Sequence, residues 1–124
     1  MTILNVDDDV EDIEIFCDAV REIDRSIICL VAKSAEEAYQ ILNSEIELPQ
    51  FIFLDINMPK VDGNECLKQI KKDQRLSKIP VIMYSTYTRR ADLEPFRPLY
   101  AGVLTKQNSY RDLVAELRKV LGKE

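Results

Sequence analysis

The sequence contains no histidine, and it has only three glycines and three cysteines among 124 residues. Without histidine, zinc sites of the Cys/His type and acid–base chemistry by an imidazole are excluded. The cysteines Cys17, Cys29 and Cys66 are odd in number and form no CxxC pair. Each has apolar neighbours in the sequence, so we interpret all three as small core residues of a protein in a reducing compartment.

Long runs of one residue character are also missing. No block of Lys or Arg interrupts a chain of formal net charge −5, which argues against a nucleic-acid-binding surface and against a polybasic membrane contact. No apolar stretch approaches the roughly 18 residues that span a bilayer. The first residues, MTILNVDDD, turn acidic too early for a signal peptide. We therefore expect a cytoplasmic protein with a single domain over residues 1–124 and no output domain.

Five short apolar runs alternate with amphipathic segments along the chain. The runs are Thr2–Val6, Ile27–Ala32, Phe51–Leu54, Val81–Tyr84 and Val103–Thr105. Strands that alternate with helices predict βαβ units, and nearly continuous apolar character predicts parallel strands. We expect an α/β fold, a doubly wound five-stranded parallel sheet with helices on both faces.

Local signals mark several helix ends. Ser34 to Glu37 form a capping box, and Asn108 or Ser109 can cap a last helix that places Tyr110 on its apolar face. The segment Thr88–Tyr100 contains two prolines, which disfavour a regular helix. We predict a short or broken helix there.

Acidic, hydroxyl and basic residues follow the ends of four of these runs, in the order Asp7-Asp8-Asp9, Asp55, Ser85-Thr86 and Lys106. In an open parallel sheet the carboxyl ends of the strands form the binding edge, so we expect these residues to converge. Carboxylates that repel each other need a cation, and oxygen ligands suit Mg²⁺. With one lysine and one hydroxyl, such a site suits a phosphoryl group attached to a carboxylate. Each signal alone is weak, because an acidic triplet is often a solvated cap and a lone lysine is often a surface residue.

Three segments resemble the receiver domains of two-component response regulators. Phe51–Gly63 (FIFLDINMPKVDG) is similar to the phosphoacceptor strand and following loop of that family. Val6–Asp9 resembles its acidic metal-binding turn, and Pro80–Thr86 resembles the strand that ends in its switch hydroxyl. The resemblance covers essentially the whole chain and implies the CheY-like fold of this family.

The resemblance also implies roles for individual residues. Asp55 would be the phosphoacceptor, and Ser85 and Lys106 would contact the phosphoryl group. The implied Mg²⁺ ligands are Asp7, Asp8, Asp55 and the backbone carbonyl of Asn57. Asp9, one position beyond the acidic pair, is interpreted as a helix cap.

The implied partners are a sensor histidine kinase or a histidine phosphotransfer protein as donor, and an unknown downstream protein. Nucleic acid and membrane are not expected as partners, and the chain would be a monomer or a phosphorylation-dependent dimer. Such a protein is a signalling switch of a phosphorelay, which catalyses only its own phosphorylation and dephosphorylation.

Two departures from the family leave an alternative open. Val103 stands where the family usually has an aromatic residue, and Gln107 stands where a proline usually follows the lysine. These changes keep open a phosphorylation-independent interaction module. A haloacid-dehalogenase-type hydrolase would need an acid at the position of Asn57, and a nucleotide-binding domain would need a glycine-rich first turn, so both fit poorly.

Overall fold

The structure is a computed structural model that describes residues 1–44, 47–55, 63–85, 94–106 and 109–124. Its strands are β1 (Thr2–Val6), β2 (Ile28–Ala32), β3 (Phe51–Asp55), β4 (Val81–Ser85) and β5 (Gly102–Thr105). Its helices are α1 (Val10–Ile23), α2 (Ala35–Ser44), α3 (Gly63–Lys72), a 3₁₀ helix (Glu94–Leu99) and α4 (Tyr110–Leu121). Each predicted strand end lies within one residue of the observed one.

The five strands form one parallel sheet in the order β2-β1-β3-β4-β5. The chain moves from β1 to the sheet edge at β2 and then returns to the other side of β1 for β3. Strand order therefore reverses beside β1, and Val6 and Leu54 are register partners near the carboxyl ends of β1 and β3. The predicted doubly wound, five-stranded parallel sheet is confirmed.

Helices cover both faces of this sheet. On one face, α2 and α3 contribute buried residues to a core cluster that includes Ala35, Ala38, Leu42, Leu67 and Ile70. On the other face, α1 and α4 contribute Phe16, Ala19, Val20, Leu113 and Leu117 to a second cluster. Successive strand residues point to opposite faces, so Ile3 joins the second cluster and Leu4 the first. None of the helices in the described part of the chain is long and apolar enough to cross a membrane.

The outer strands are less buried than their apolar sequences predict. In β1 and β3 every residue after the first is buried. By contrast, Ile28 of β2 is 58% exposed and Val103 of β5 is 42% exposed. Each outer strand has a neighbour on one side only, so its apolar residues are not enclosed as those of central strands are.

Helix ends follow the local signals in the sequence. Asp9 caps α1, because its side chain accepts hydrogen bonds from the N–H groups of Glu11 and Asp12. Ser34 Oγ accepts the N–H of Glu37, as in a capping box. The Glu37 carboxylate accepts the N–H of Lys33, one residue before the cap, in place of the N–H of Ser34. Of the two predicted caps of α4, Asn108 and Ser109, the structure has Ser109, whose side chain accepts the N–H of Asp112.

Gly122 follows Leu121, the last residue of α4, and caps the helix with φ of 68°. This left-handed conformation suits a residue without a side chain.

Two sequence expectations concern the last third of the chain. The proline-rich segment Thr88–Tyr100 is described only from residue 94, where a 3₁₀ helix with Pro98 inside it replaces a regular α-helix. This agrees with the predicted short helix. Tyr110 was expected on the apolar face of α4 but is 37% exposed, with its hydroxyl 3.5 Å from Glu22 of α1. As the first residue of α4, it lies at the margin of the core.

Candidate functional site

Buried polar residues lie near the carboxyl ends of β1 and β3, at the carboxyl edge of the sheet. In the described part of the chain they are Asn5, Asp7 and Asp55. Asp7 directly follows β1, and its N–H donates to the carbonyl of Ala32 at 3.0 Å, which extends the β1–β2 pairing. The Asp7 carboxylate accepts the N–H of Asp9 at 3.0 Å. Backbone hydrogen bonds of the turn between β1 and α1 thus fix the position of the Asp7 carboxylate.

Asp55 reaches the same edge from the neighbouring strand. It is the last residue of β3, it is 5% exposed, and its register partner is Tyr84 of β4. Asp8 is exposed at the rim. Carboxylate oxygens of Asp7, Asp8 and Asp55 all lie within 4.8 Å of one another. The predicted convergence of these three acids is therefore observed.

Lys106, which follows β5, places its ammonium group among the acids. Lys106 Nζ lies 2.7 Å from Asp7 Oδ2, 2.9 Å from Asp12 Oδ2 and 3.6 Å from Asp55 Oδ2. The lysine side chain is only 10% exposed. Burial by itself lowers the pKa of this ammonium, but the carboxylates of Asp7, Asp12 and Asp55 outweigh it and raise its pKa above the ordinary value. Lys106 is thus a permanent positive charge in the site.

Aromatic rings pack next to the ammonium group of Lys106. Lys106 Nζ lies 5.2 Å from the centre of the Tyr84 ring, a cation–π distance. That ring packs against Phe16 of α1 at a centroid distance of 5.5 Å, and Phe16 contacts Phe53 at 5.0 Å. Burial raises the pKa of the Tyr84 hydroxyl despite the opposing effect of Lys106, so the ring is a neutral platform.

The charges of the site are unbalanced. Four carboxylates (Asp7, Asp8, Asp12 and Asp55) against one ammonium group leave a formal charge of −3 for these five side chains. Repulsion between carboxylates in a shared pocket is relieved by a cation. All the clustered donors are oxygens, which select a hard divalent ion over a thiophilic one. The donor set therefore fits a divalent metal such as Mg²⁺ or Mn²⁺.

The other predicted site residues fall at or beyond the limits of the described chain. Ser85 ends β4, and its backbone is in register with Thr105 of β5, which precedes Lys106. The Ser85 side chain, Asn57 and Gln107 lie outside what the structure describes. Val103 is described, and it is exposed on the outer strand opposite Met83.

Asp12 is a site residue that the sequence analysis missed. It belongs to the first turn of α1, where it was not distinguished from the other acids of an acidic segment. Its carboxylate shares Lys106 with Asp7, and its side chain is 32% exposed. A signal was available, because the first turn of a helix that follows a strand lies at the carboxyl edge of the sheet.

This architecture agrees with what is found in known proteins. The response regulator receiver domain family matches residues 3–118, nearly the whole chain. The protein therefore belongs to the response regulator receiver domain family, with its five-stranded parallel sheet and acidic pocket.

Individual relatives are similar at moderate identity. The chain is 39% identical over 77 residues to FilR2 of Methanothrix harundinacea, which is named a probable methanogenesis regulatory protein. The aligned residues cover 59% of this chain and 48% of FilR2. It is 35% identical over 95 residues to the response regulator Rcp1 of Synechocystis sp., covering 73% of this chain and 65% of Rcp1. The chain thus spans less than two thirds of both relatives.

Solved structures extend the likeness to nearly the whole chain. The Mn²⁺-bound form of Rcp1 has a TM-score of 0.82 at 26% identity, covering 96% of this chain and 90% of that one. The phosphorylated cyanobacterial phytochrome response regulator RcpA has a TM-score of 0.85 at 28% identity, covering 96% and 89%. Metal and phosphoryl group are properties of those proteins in those structures.

Proposed function

We propose that this protein is a receiver that takes a phosphoryl group on Asp55 in a Mg²⁺-dependent reaction and passes the signal on by a conformational change. The donor would be the phosphohistidine of a sensor histidine kinase or of a histidine phosphotransfer protein. The observation on which the proposal depends is a buried Asp55 carboxylate with two further carboxylates within 4.8 Å and a lysine ammonium at 3.6 Å. We further propose that the protein acts in the cytoplasm.

Each group has a chemical reason to be there. An Asp55 oxygen would attack phosphorus while the bond from phosphorus to the donor imidazole breaks, which gives an acyl phosphate. Phosphoryl transfer depends on positioning and on neutralising the phosphoryl oxygens. Mg²⁺ held by Asp7, Asp8, Asp55 and the carbonyl of Asn57 would supply part of this positive charge. Lys106, already 3.6 Å from Asp55, would supply the rest.

The phosphoryl group would change the contacts of two loops. It adds negative charge and acceptor oxygens at the end of β3, where Lys106 and the hydroxyl of Ser85 can bind them. A lysine that now contacts Asp7 and Asp12 would move toward Asp55. The equilibrium between two arrangements of the segments after β4 and β5 would shift, and a downstream protein that prefers one of them would bind.

The test is the intact mass of the protein after exposure to acetyl phosphate, with Mg²⁺ and with EDTA. We expect one phosphoryl adduct that requires Mg²⁺ and is absent from Asp55→Asn. Asp112→Asn, an exposed acid on α4, is the matched control and should form the adduct as the wild type does.

The absence of an adduct in the wild type would contradict the proposal and favour the phosphorylation-independent interaction module. Val103 and Gln107, the two departures from the family pattern, would then be the first positions to restore. An adduct that persists in Asp55→Asn would contradict the assignment of the acceptor.

A further inference from the structure

Two of the three cysteines meet between α1 and β2. Cys17 Sγ and Cys29 Sγ lie 3.2 Å apart, closer than two unbonded sulfur atoms normally pack, and both residues are half-buried. Cys17 is in the middle of α1, and Cys29 is in β2, where it pairs with Ile3 of β1. Cys66 by contrast is fully buried in the other core cluster.

The thiol pair is open to small molecules. A cavity of about 360 Å³ is lined by both cysteines, together with Val20, Arg21, Arg25 and Ile27. Two arginines give this cavity a positive rim, although Arg21 is also paired with Asp18 at 3.1 Å. Such a space admits a reagent of the size of a hydroperoxide.

The surroundings favour a thiolate at one sulfur. The hydrogen bond from Cys29 lowers the pKa of Cys17 to about 7, with further help from Arg21 against burial and Asp18. The same hydrogen bond and burial raise the pKa of Cys29. The lowered pKa marks Cys17 as the nucleophile, and Cys29 lies beside it as the second thiol.

We propose that Cys17 and Cys29 form a dithiol site that reacts with hydroperoxides and closes to a disulfide joining α1 to β2. The Cys17 thiolate attacks the peroxide: an S–O bond forms, the O–O bond breaks, and the leaving oxygen takes a proton as water or an alcohol. Cys29 sulfur then attacks the Cys17 sulfenic acid, so that the S–S bond forms, the S–O bond breaks and water leaves. Two thiols are oxidised by two electrons and one peroxide is reduced.

The two sulfurs are already close to each other for the second step. A disulfide has an S–S distance of about 2.05 Å, so the two sulfurs approach by about 1.2 Å. The site differs from the phosphorylation site in both residues and chemistry, and it does not depend on Asp55. In a reducing compartment the pair rests as two thiols and is oxidised only when peroxide is present.

The experiment treats the full chain with hydrogen peroxide and follows intact mass and peptide maps under non-reducing conditions. We expect loss of two hydrogen atoms, one Cys17–Cys29 linked peptide, an unmodified Cys66, and reversal by dithiothreitol. In Cys29→Ser, dimedone should trap a sulfenic acid on Cys17, whereas Cys17→Ser should give neither product. Circular dichroism verifies that both variants fold. The peptide map of the wild type tests the proposal even if a variant does not fold.

A matched pair of arginine variants tests the role of the surroundings. Arg21→Gln should slow the reaction at pH 7 more than Arg25→Gln does, because the loss of the Arg21 charge raises the pKa of Cys17 and lowers its thiolate fraction. Arg25→Gln lines the same cavity and should leave the rate within about twofold, since the pKa of Cys17 is set by Cys29 and Arg21.

Three results would overturn the proposal. One is the absence of the linked peptide in the wild type. Another is oxidation of Cys66 as fast as that of Cys17. The third is a disulfide that joins two chains in place of α1 and β2 of one chain.

Discussion

Replacing Lys106 with methionine removes the positive charge of the acidic site and keeps an unbranched side chain of similar length. The lysine is 10% exposed and its partner Asp7 is fully buried, with 2.7 Å between their charged atoms. Removing one partner of a buried ion pair costs about 3–5 kcal/mol, since the other charge stays buried. Asp12 and Asp8 are partly in water, so we expect the low end, a loss of about 3 kcal/mol.

Thermal unfolding monitored by circular dichroism, first in EDTA, measures this loss. For a domain of this size 1 kcal/mol corresponds to about 4 °C, so Lys106→Met should unfold about 12 °C below the wild type. The formal charge of the site changes from −3 to −4 in the variant, so Mg²⁺ should raise the melting temperature of the variant more than that of the wild type.

The matched control is Lys119→Met on α4. Lys119 is 59% exposed and only 3.4 Å from Glu116 in a surface pair, which predicts a change within about 0.5 kcal/mol. A melting temperature of Lys106→Met equal to that of the wild type in EDTA would contradict this prediction. Equal stabilisation of both proteins by Mg²⁺ would also contradict it, because the lysine would then not be the main counter-charge of the acids.

Three further predictions follow from other contacts. Asp12→Asn removes one of the acids that hold Lys106, so the lysine should reach the phosphoryl group more easily and the Mg²⁺-dependent adduct should form faster with acetyl phosphate; an unchanged rate would show that Asp12 does not restrain Lys106. Phe16→Ala should lower the free energy of unfolding by about 3–5 kcal/mol in urea titration, because the ring is fully buried between two other rings, whereas Ile15→Ala, 45% exposed on the same helix, should cost less than about 1 kcal/mol. The hydrogen bonds from Ser26 lower the pKa of Asp24 from 3.8 to about 2, so the contribution of this carboxylate to stability is present above pH 3.8 and is lost as the pH falls through 2. The free energy of unfolding of Asp24→Asn should therefore depend slightly less on pH between about 2 and 3.8. A pH profile identical to that of the wild type would contradict the role given to the Ser26 hydrogen bonds.

The secondary structure and its order could be predicted from the amino-acid sequence alone. The five apolar runs became five strands with ends displaced by no more than one residue, because buried parallel strands must be continuously apolar. Asp9 and Ser109 were identifiable as helix caps since capping is a contact between residues two or three positions apart.

The sequence also predicted that Asp7, Asp8 and Asp55 meet. Asp7 and Asp55 are 48 residues apart in the chain, yet each directly follows or ends an apolar run. In a parallel sheet with right-handed crossovers, the carboxyl ends of the strands share one edge, so the convergence follows from topology without knowledge of distances. The same rule placed Lys106 at that edge.

How the helices lie on the sheet could not be predicted from the sequence. The contact between Asp12 and Lys106 and the contact between Cys17 and Cys29 both join α1 to a strand or to the end of one. Periodicity shows which face of α1 is apolar, but its rotation and shift against the sheet are set by the packing of Phe16 against Phe53 and Tyr84. These contacts depend on ångström-scale placement across the core, which no local pattern in the sequence encodes.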